Sequence, residues 1–191
     1  MQKQKPSRKA IRLKQYDYSA PGKYFVTICA IDKMFIFGEI NNTEMILNES
    51  GRIMEKVLLS IADRFTNVEI DVYSIMPNHV HLIISILPES ESVARAIHEL
   101  PLQDAKYRRR MSLPKIIGYL KMNSAKQINR IKDNSGSRVW QRNYYEHIMR
   151  NEKTFDEIYA YIQSNPLSWD RDMNHPDFYI HTADDNKQTN T

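Results

Sequence analysis

An apolar run in MPNHVHLIISI (residues 76–86) begins with two histidines, His79 and His81, separated by one valine. Residues two apart on a β-strand project from the same face, so the two imidazoles would point together while Val80 points the other way. Neutral imidazoles side by side are a ready pair of metal ligands. Two ligands do not complete a site, and the same pair could instead be satisfied by backbone or carboxylate partners on a half-exposed strand.

A tyrosine and an asparagine in FDEIYAYIQSNPLSW (residues 155–169) have a spacing that a helix would place on one face. Tyr161 and Asn165 are four positions apart, and Pro166 predicts that the helix ends at Asn165. A separate apolar stripe, formed by Phe155, Ile158 and Ile162, can hold such a helix against a sheet. A phenol and a carboxamide would then share one face, although Tyr161 could equally be an aromatic at the core edge and Asn165 a helix C-cap.

The elements that would position these groups indicate a mixed α and β chain. Periodicity and turn residues predict strands at residues 23–31, 34–40, 44–47, 68–76 and 79–86. They also predict a helix capped by Asn48, a helix from Ser112 to about Lys132, and a last helix from Asn151 or Thr154 to Asn165. We predict a basic arm at residues 1–15, one domain at 16–170 with a mobile connection at 88–111, and a polar tail at 171–191.

Composition narrows the class of protein. The chain has 191 residues, enough for one well-buried core, and its single cysteine excludes an intramolecular disulfide and a four-cysteine zinc site. No apolar stretch approaches the roughly 18 residues of a membrane span, and no signal-peptide pattern follows the basic N-terminus. We therefore expect a cytoplasmic protein, associated with the nucleoid if the cell is bacterial.

Positive charge is segregated along the chain although the net charge is only +4. Residues 1–14 hold six lysines and arginines, and residues 106–132 hold nine more, with no acidic residue in either segment. Such segregation is typical of a polyanion binder, because each neutralised phosphate releases condensed counterions. A basic tail together with one solvated helix face would give the same pattern.

Several motifs together resemble a known family. The segment 76–81 (MPNHVH) is similar to the His-hydrophobe-His motif of HUH nucleases, and to the single-tyrosine transposases of insertion sequences among them. The segments 140–147 (WQRNYYEH) and 161–166 (YIQSNP) resemble the REP-associated tyrosine transposases in particular, and 22–25 (GKYF) partly matches a Gly-Thr-Trp-Phe-like signature of that branch. The resemblance covers about residues 8–170.

The resemblance implies an α+β fold, a ferredoxin-like (RRM-like) antiparallel sheet with helices packed on one face. It implies that His79 and His81 bind a divalent ion, Mg²⁺ or Mn²⁺, that Asn165 is the third ligand, and that Tyr161 is the nucleophile. Many family members have a longer glutamine in the third position, so Asn165 would have to lie about one methylene closer. The implied activity is cleavage and rejoining of single-stranded or hairpin DNA through a 5′-phosphotyrosine, by a monomer or homodimer.

We expect the substrate to contact the acid-free segment and its neighbourhood. The basic residues predicted to bind DNA are Arg108, Arg109, Arg110, Lys115, Lys121, Lys126, Arg130 and Arg142. Tyr107, Tyr119 and Tyr144 could stack on unpaired bases, with core packing as the alternative for each. Two other functions remain open on the sequence: a domesticated DNA-binding protein that no longer cuts, and a zinc-dependent hydrolase with a different third ligand.

Overall fold

A four-stranded antiparallel sheet organises the chain. The computed structural model describes residues 16–88 and 112–176. The strands are β1 (Gly22–Cys29), β2 (Gly38–Asn41), β3 (Glu44–Leu47), β4 (Val68–Met76), β5 (His79–Ile86) and β6 (Tyr145–Met149), and the helices are α1 (Glu49–Leu59), α2 (Ile61–Arg64), α3 (Ser112–Ile131) and α4 (Glu152–Ser164). The order across the main sheet is β4-β5-β1-β6, and β2 pairs only with β3 in a small separate hairpin.

The hairpin of β4 and β5 supplies the sheet with its most buried strand. Met76 lies opposite His79, and the register continues to Val68 opposite Ile86, with a bulge between Ile70 and Val72. All eight residues of β5 are buried. A strand that is buried on both faces must be covered from both sides, which explains why its sequence is almost continuously apolar.

One face of the sheet packs against α1 and α3. Val80, Leu82 and Ile84 of β5 lie in a core with apolar residues of both helices, for example Leu58 and Leu120. Helix α1 begins after Asn48, whose side chain accepts a hydrogen bond from the amide of Gly51. This face carries the larger hydrophobic core and therefore most of the apolar burial.

Helix α4 packs against the opposite face. Ile162 is fully buried against Phe25 of β1 and Ile83 of β5, and Phe155 and Ile158 pack around them. Because successive residues of a strand alternate between faces, His79 and His81 share this face with Ile83. The apolar stripe predicted for the last helix is the stripe that attaches it to the sheet.

After α4 the chain continues as a 3-10 helix over Asn165–Arg171, with Pro166 in its first turn. Trp169 is buried in this segment, and its ring stacks on that of His79 with 6.0 Å between centroids. Beyond it, Asp172 contacts the histidines of β5 and Asn174 contacts Asn78, so this part of the predicted polar tail lies against the sheet.

The predicted fold class is confirmed: the protein is α+β with a ferredoxin-like antiparallel sheet. The prediction that the helices pack on one face is wrong for α4: α1 and α3 share one face, whereas the apolar stripe of α4 packs on the other, against Phe25 and Ile83. The predicted bounds of β4 and β5 match those observed, whereas the short edge strand β6 was not predicted. The predicted basic arm at residues 1–15 and most of the connection at 88–111 lie outside the described residues.

Candidate active site

The two histidines converge at the buried start of β5. Both side chains are buried, and their Nε2 atoms lie 2.9 Å apart. The preceding turn at Pro77 and Asn78 reverses the chain from β4, so the histidines project beneath the end of α4. The ring of Phe25 packs beside His81 with 5.4 Å between centroids.

Neighbouring side chains fix the ring orientations. Asn78 donates through Nδ2 to the carbonyl oxygens of Lys33 and Asn174, so its Oδ1 accepts from His79 Nδ1 at 2.8 Å. Nδ1 of His79 therefore carries a proton, so in the neutral imidazole the lone pair is on Nε2. The Nδ1 atom of His81 is 2.8 Å from the hydroxyl of Thr27, which can donate or accept. Second-shell partners of this kind are what metal-binding histidines require.

A carboxylate that the sequence did not identify completes the cluster. The Oδ2 atom of Asp172 lies 3.8 Å from His79 Nε2 and 3.7 Å from His81 Nε2, and the side chain is fully buried. The amide of Asn174 donates to its other oxygen at 2.6 Å. Asn78 donates to the carbonyl oxygen of Asn174 and accepts from His79. Asn78 therefore links His79 to the segment that carries Asp172. His79, His81 and Asp172 together could hold a metal ion.

The predicted nucleophile and amide lie beside this group. The Tyr161 hydroxyl is 3.2 Å from His81 Nε2 and donates to Asp172 Oδ2 at 3.0 Å. The side chain is 40% exposed, so solvent and a large substrate can reach it. Asn165 is buried and donates through Nδ2 to the same oxygen of Asp172 at 2.9 Å, while its Oδ1 has no hydrogen-bond partner. A buried amide oxygen without a partner is unfavourable unless something else binds it.

Burial and charge set the protonation states. Burial, reinforced by the neighbouring His81, lowers the pKa of His79 well below its usual value, which keeps the imidazole neutral and able to bind a cation. Burial also raises the pKa of Tyr161, and the adjacent negative charge of Asp172 raises it further. For Asp172 burial raises the pKa, but hydrogen bonds from His81, Asn165 and the backbone amide of Asn174 outweigh it and hold the pKa far below the usual range.

The predicted nucleic-acid contacts are not brought to this cluster. Lys115, Lys126 and Arg130 are exposed on α3, which covers the other face of the sheet. Lys121 is half-buried, and its Nζ contacts the carbonyl oxygens of residues 141–143.

The remaining predicted contacts fall into three groups. Arg142 is exposed beside Lys121, whereas Tyr119 and Tyr144 pack against the core. Arg108, Arg109, Arg110 and Tyr107 lie outside the described residues. The prediction that these groups bind DNA therefore remains a proposal.

The fold and the cluster define an α+β protein with a buried His-His-Asp group beside a tyrosine hydroxyl. A Haemophilus influenzae protein described as "Uncharacterized protein" is 40% identical over 173 residues, which span 87% of this chain and 92% of that protein. The chain belongs to the same family as that protein. No protein-family model matches the chain.

Two solved structures are similar to the chain. A REP-associated tyrosine transposase bound to a REP hairpin has a TM-score of 0.47 and 20% identity, over 82% of this chain and 73% of that one. A candidate transposase from Deinococcus radiodurans has a TM-score of 0.45 and 16% identity, over 85% and 96% of the two chains. Among the described residues no helix is long and apolar enough to cross a membrane.

Proposed function

We propose that this protein cleaves and rejoins single-stranded or hairpin DNA through a covalent bond to Tyr161, as a transposase of the single-tyrosine HUH class. The observation that carries the proposal is the position of the Tyr161 hydroxyl, 3.2 Å from His81 Nε2 and 3.0 Å from Asp172. A nucleophile next to a group that can bind a cation is the arrangement that phosphoryl transfer requires. The sequence motifs of residues 76–81 and 161–166 support the same class.

In the proposed reaction the Tyr161 oxygen attacks the phosphorus of a DNA phosphodiester. The bond from phosphorus to the 3′ oxygen breaks, the phenolic proton is lost, and the departing oxygen takes up a proton as a 3′-hydroxyl. The 5′-phosphate remains on the tyrosine. Attack by a second 3′-hydroxyl reverses these steps and rejoins the strand without a nucleotide cofactor, because the phosphotyrosine bond conserves the energy of the broken bond. The hydrogen bond to Asp172 aims the phenol at the cluster before the reaction begins.

The cluster fits a divalent ion. We propose His79, His81 and Asp172 as ligands, with the unsatisfied Oδ1 of Asn165 as a further oxygen donor. When bound, the ion supplies polarisation of the phosphate and offsets negative charge in the transition state. Asp172 was not predicted, and its carboxylate adds the negative charge that an amide in this position lacks.

The chemistry of the donors favours Mg²⁺ or Mn²⁺. The carboxylate oxygen of Asp172 and the amide oxygen of Asn165 are hard donors, which these two ions prefer. A phosphate substrate would add further hard oxygen donors.

The test is formation of a covalent adduct. End-labelled hairpin oligonucleotides with single-stranded flanks are incubated with the protein and Mn²⁺, and the products are separated in SDS. We expect an SDS-resistant adduct that Tyr161→Phe abolishes. Tyr145→Phe is the matched control, because Tyr145 is also exposed and its ring contacts the same Phe25.

Each alternative gives a different result. Binding without an adduct would indicate a DNA-binding protein that does not cut. Cleavage that persists in Tyr161→Phe, with free product and no adduct, would indicate a hydrolase that uses water. Either outcome would overturn the proposal.

A further inference from the structure

Three large apolar side chains are exposed next to the active-site cluster. Met34 is 56% exposed, Phe35 51% and Met173 69%. The Phe35 ring meets Trp169 edge-on with 5.8 Å between centroids, and Trp169 in turn stacks on His79 at 6.0 Å. Lys33 Nζ donates to the carbonyl oxygen of Met173. This bond holds Met173 beside the segment that carries Met34 and Phe35. We call Met34, Phe35 and Met173 the apolar platform.

The backbone beneath the platform is held firmly. The amides of Ile36 and Phe37 both donate to the carbonyl oxygen of Pro77, and Asn78 donates to that of Lys33. Phe37 is fully buried and packs on Trp140 with 5.0 Å between ring centroids. Phe35 is thus displayed on an anchored segment and does not lie on a free loop.

Two features of this segment are unfavourable for stability alone. Asp32 and Lys33 have φ of 49° and 53°, a left-handed conformation that is strained for residues other than glycine. Immediately afterwards, Met34 and Phe35 are left in contact with water. Strain of this kind clusters at binding sites, where the surrounding structure maintains it. Positive φ also occurs at the turn residues Asn42 and Thr43, so the strain supports a binding role for Phe35 only together with its position beside the cluster.

We infer that the apolar platform stacks one unpaired base of the DNA strand whose phosphate is bound at the cluster. The inference rests on the proposed function and specifies how its substrate is held. Aromatic faces bind bases of any sequence, with about 1–3 kcal/mol lost on alanine substitution. Phe35 lies within about 12 Å of His79, the two ring separations taken end to end, a distance that one or two nucleotides cover.

The apolar platform fits one DNA base better than it fits a second protein. A stable protein interface buries about 1,200–2,000 Å² in total, whereas three side chains present only a small part of that area. A single exposed ring beside two methionines matches the size of one base. The buried Trp169 between Phe35 and His79 fixes the distance between base and phosphate, so the platform would select for an unpaired nucleotide at a defined step from the scissile bond.

The experiment measures binding separately from cleavage. All proteins carry Tyr161→Phe, and the probe is a hairpin oligonucleotide with a ten-nucleotide single-stranded flank, made as a series with one abasic position moved along the flank. Binding is measured by anisotropy for the parent protein, Phe35→Ala, Phe35→Trp and Leu59→Ala. Leu59 is the matched control, because it is exposed and apolar but lies at the end of α1, which carries none of the residues predicted to contact DNA.

We expect Phe35→Ala to weaken binding of the intact probe about 5- to 150-fold, which corresponds to the stacking energy given above. Phe35→Trp, which keeps an aromatic face, and Leu59→Ala should bind like the parent. At one abasic position the parent should bind as weakly as Phe35→Ala, and there the substitution should have no further effect. The inference is overturned if Phe35→Ala binds within twofold of the parent, or weakens the intact and all abasic probes equally.

The two proposals fail in different ways. If the protein with an intact Tyr161 forms no adduct but Phe35→Ala loses base-dependent binding, the proposed cleavage is wrong and the base site stands. If the adduct forms and Phe35→Ala has no effect on any probe, the base site is wrong and the cleavage stands.

Discussion

Replacement of Thr27 by valine tests whether the cluster is a metal site. The hydroxyl of Thr27 is 2.8 Å from His81 Nδ1, and both groups are buried. Valine keeps the shape of threonine but cannot accept the Nδ1 proton, which His81 must carry when its Nε2 binds an ion. Loss of such a second-shell partner typically reduces metal affinity about 10- to 100-fold, or about 1.4–2.7 kcal/mol. The buried imidazole N–H would be left without a partner, at a comparable cost of about 1–3 kcal/mol.

The assay is titration with Mn²⁺, in which the free ion is followed by electron paramagnetic resonance. Thr27→Ser should restore affinity, because it returns the hydroxyl. Ser74→Ala is the matched control: Ser74 lies opposite His81 on the other neighbouring strand, but its hydroxyl contacts Met76. Because the unpaired imidazole N–H also destabilises the fold, urea denaturation of each variant should confirm that it is folded under the titration conditions. If Thr27→Val binds Mn²⁺ within twofold of the parent, or Ser74→Ala weakens binding as much, the reasoning about His81 is refuted.

Four further substitutions test the roles of other parts of the fold. Asp172→Ala should weaken Mn²⁺ binding more than Thr27→Val, because it removes a charged ligand; unchanged affinity in the same titration would exclude Asp172 from the site. Ile162→Ala should reduce the free energy of unfolding by about 2–5 kcal/mol, measured by urea denaturation, because the side chain is fully buried between α4 and the sheet; a change below 1 kcal/mol would contradict this packing. Lys126→Met should reduce the salt dependence of hairpin-DNA binding by about one ion if Lys126 contacts a phosphate. Lys121→Met should leave that salt dependence unchanged. It should instead speed hydrogen exchange of the amides in residues 141–143, because Lys121 binds carbonyl oxygens of that segment. Equal effects of the two substitutions on salt dependence would show that both lysines contact DNA.

Periodicity predicted which of these side chains share a face. His79 and His81 lie on one face of a strand, and Tyr161 and Asn165 on one face of a helix. That the two pairs meet was implied by the family resemblance, and their roles in a reaction remain a proposal. Asp172 follows an irregular segment in which no period relates it to Tyr161, so only tertiary packing could place it. Trp169 was a signal in the sequence, because tryptophan side chains are usually buried. In the structure it is buried beside His79, which keeps the chain against the sheet beyond α4.

The edge strand β6 was missed for a related reason. Its five residues, YEHIM, include a charged and a titratable side chain, and the strand pairs only with β1. Short edge strands are held by their neighbour more than by their own pattern, so local propensity carries little information about them. Local periodicity likewise could not decide which face of the sheet α4 would cover.

The two faces of the sheet differ in what they carry. The face toward α1 and α3 holds the larger apolar core, and the face toward α4 holds the His-His-Asp cluster, so β5 contributes alternate residues to the core and to the cluster. The basic residues of α3 therefore lie on the far side of the sheet from Tyr161. A DNA molecule that touches both must pass around an edge of the sheet, formed by β4 or by β6. A hairpin with a flexible single-stranded flank can make that turn with little bending energy, whereas a continuous duplex, which is stiff over about 150 base pairs, cannot.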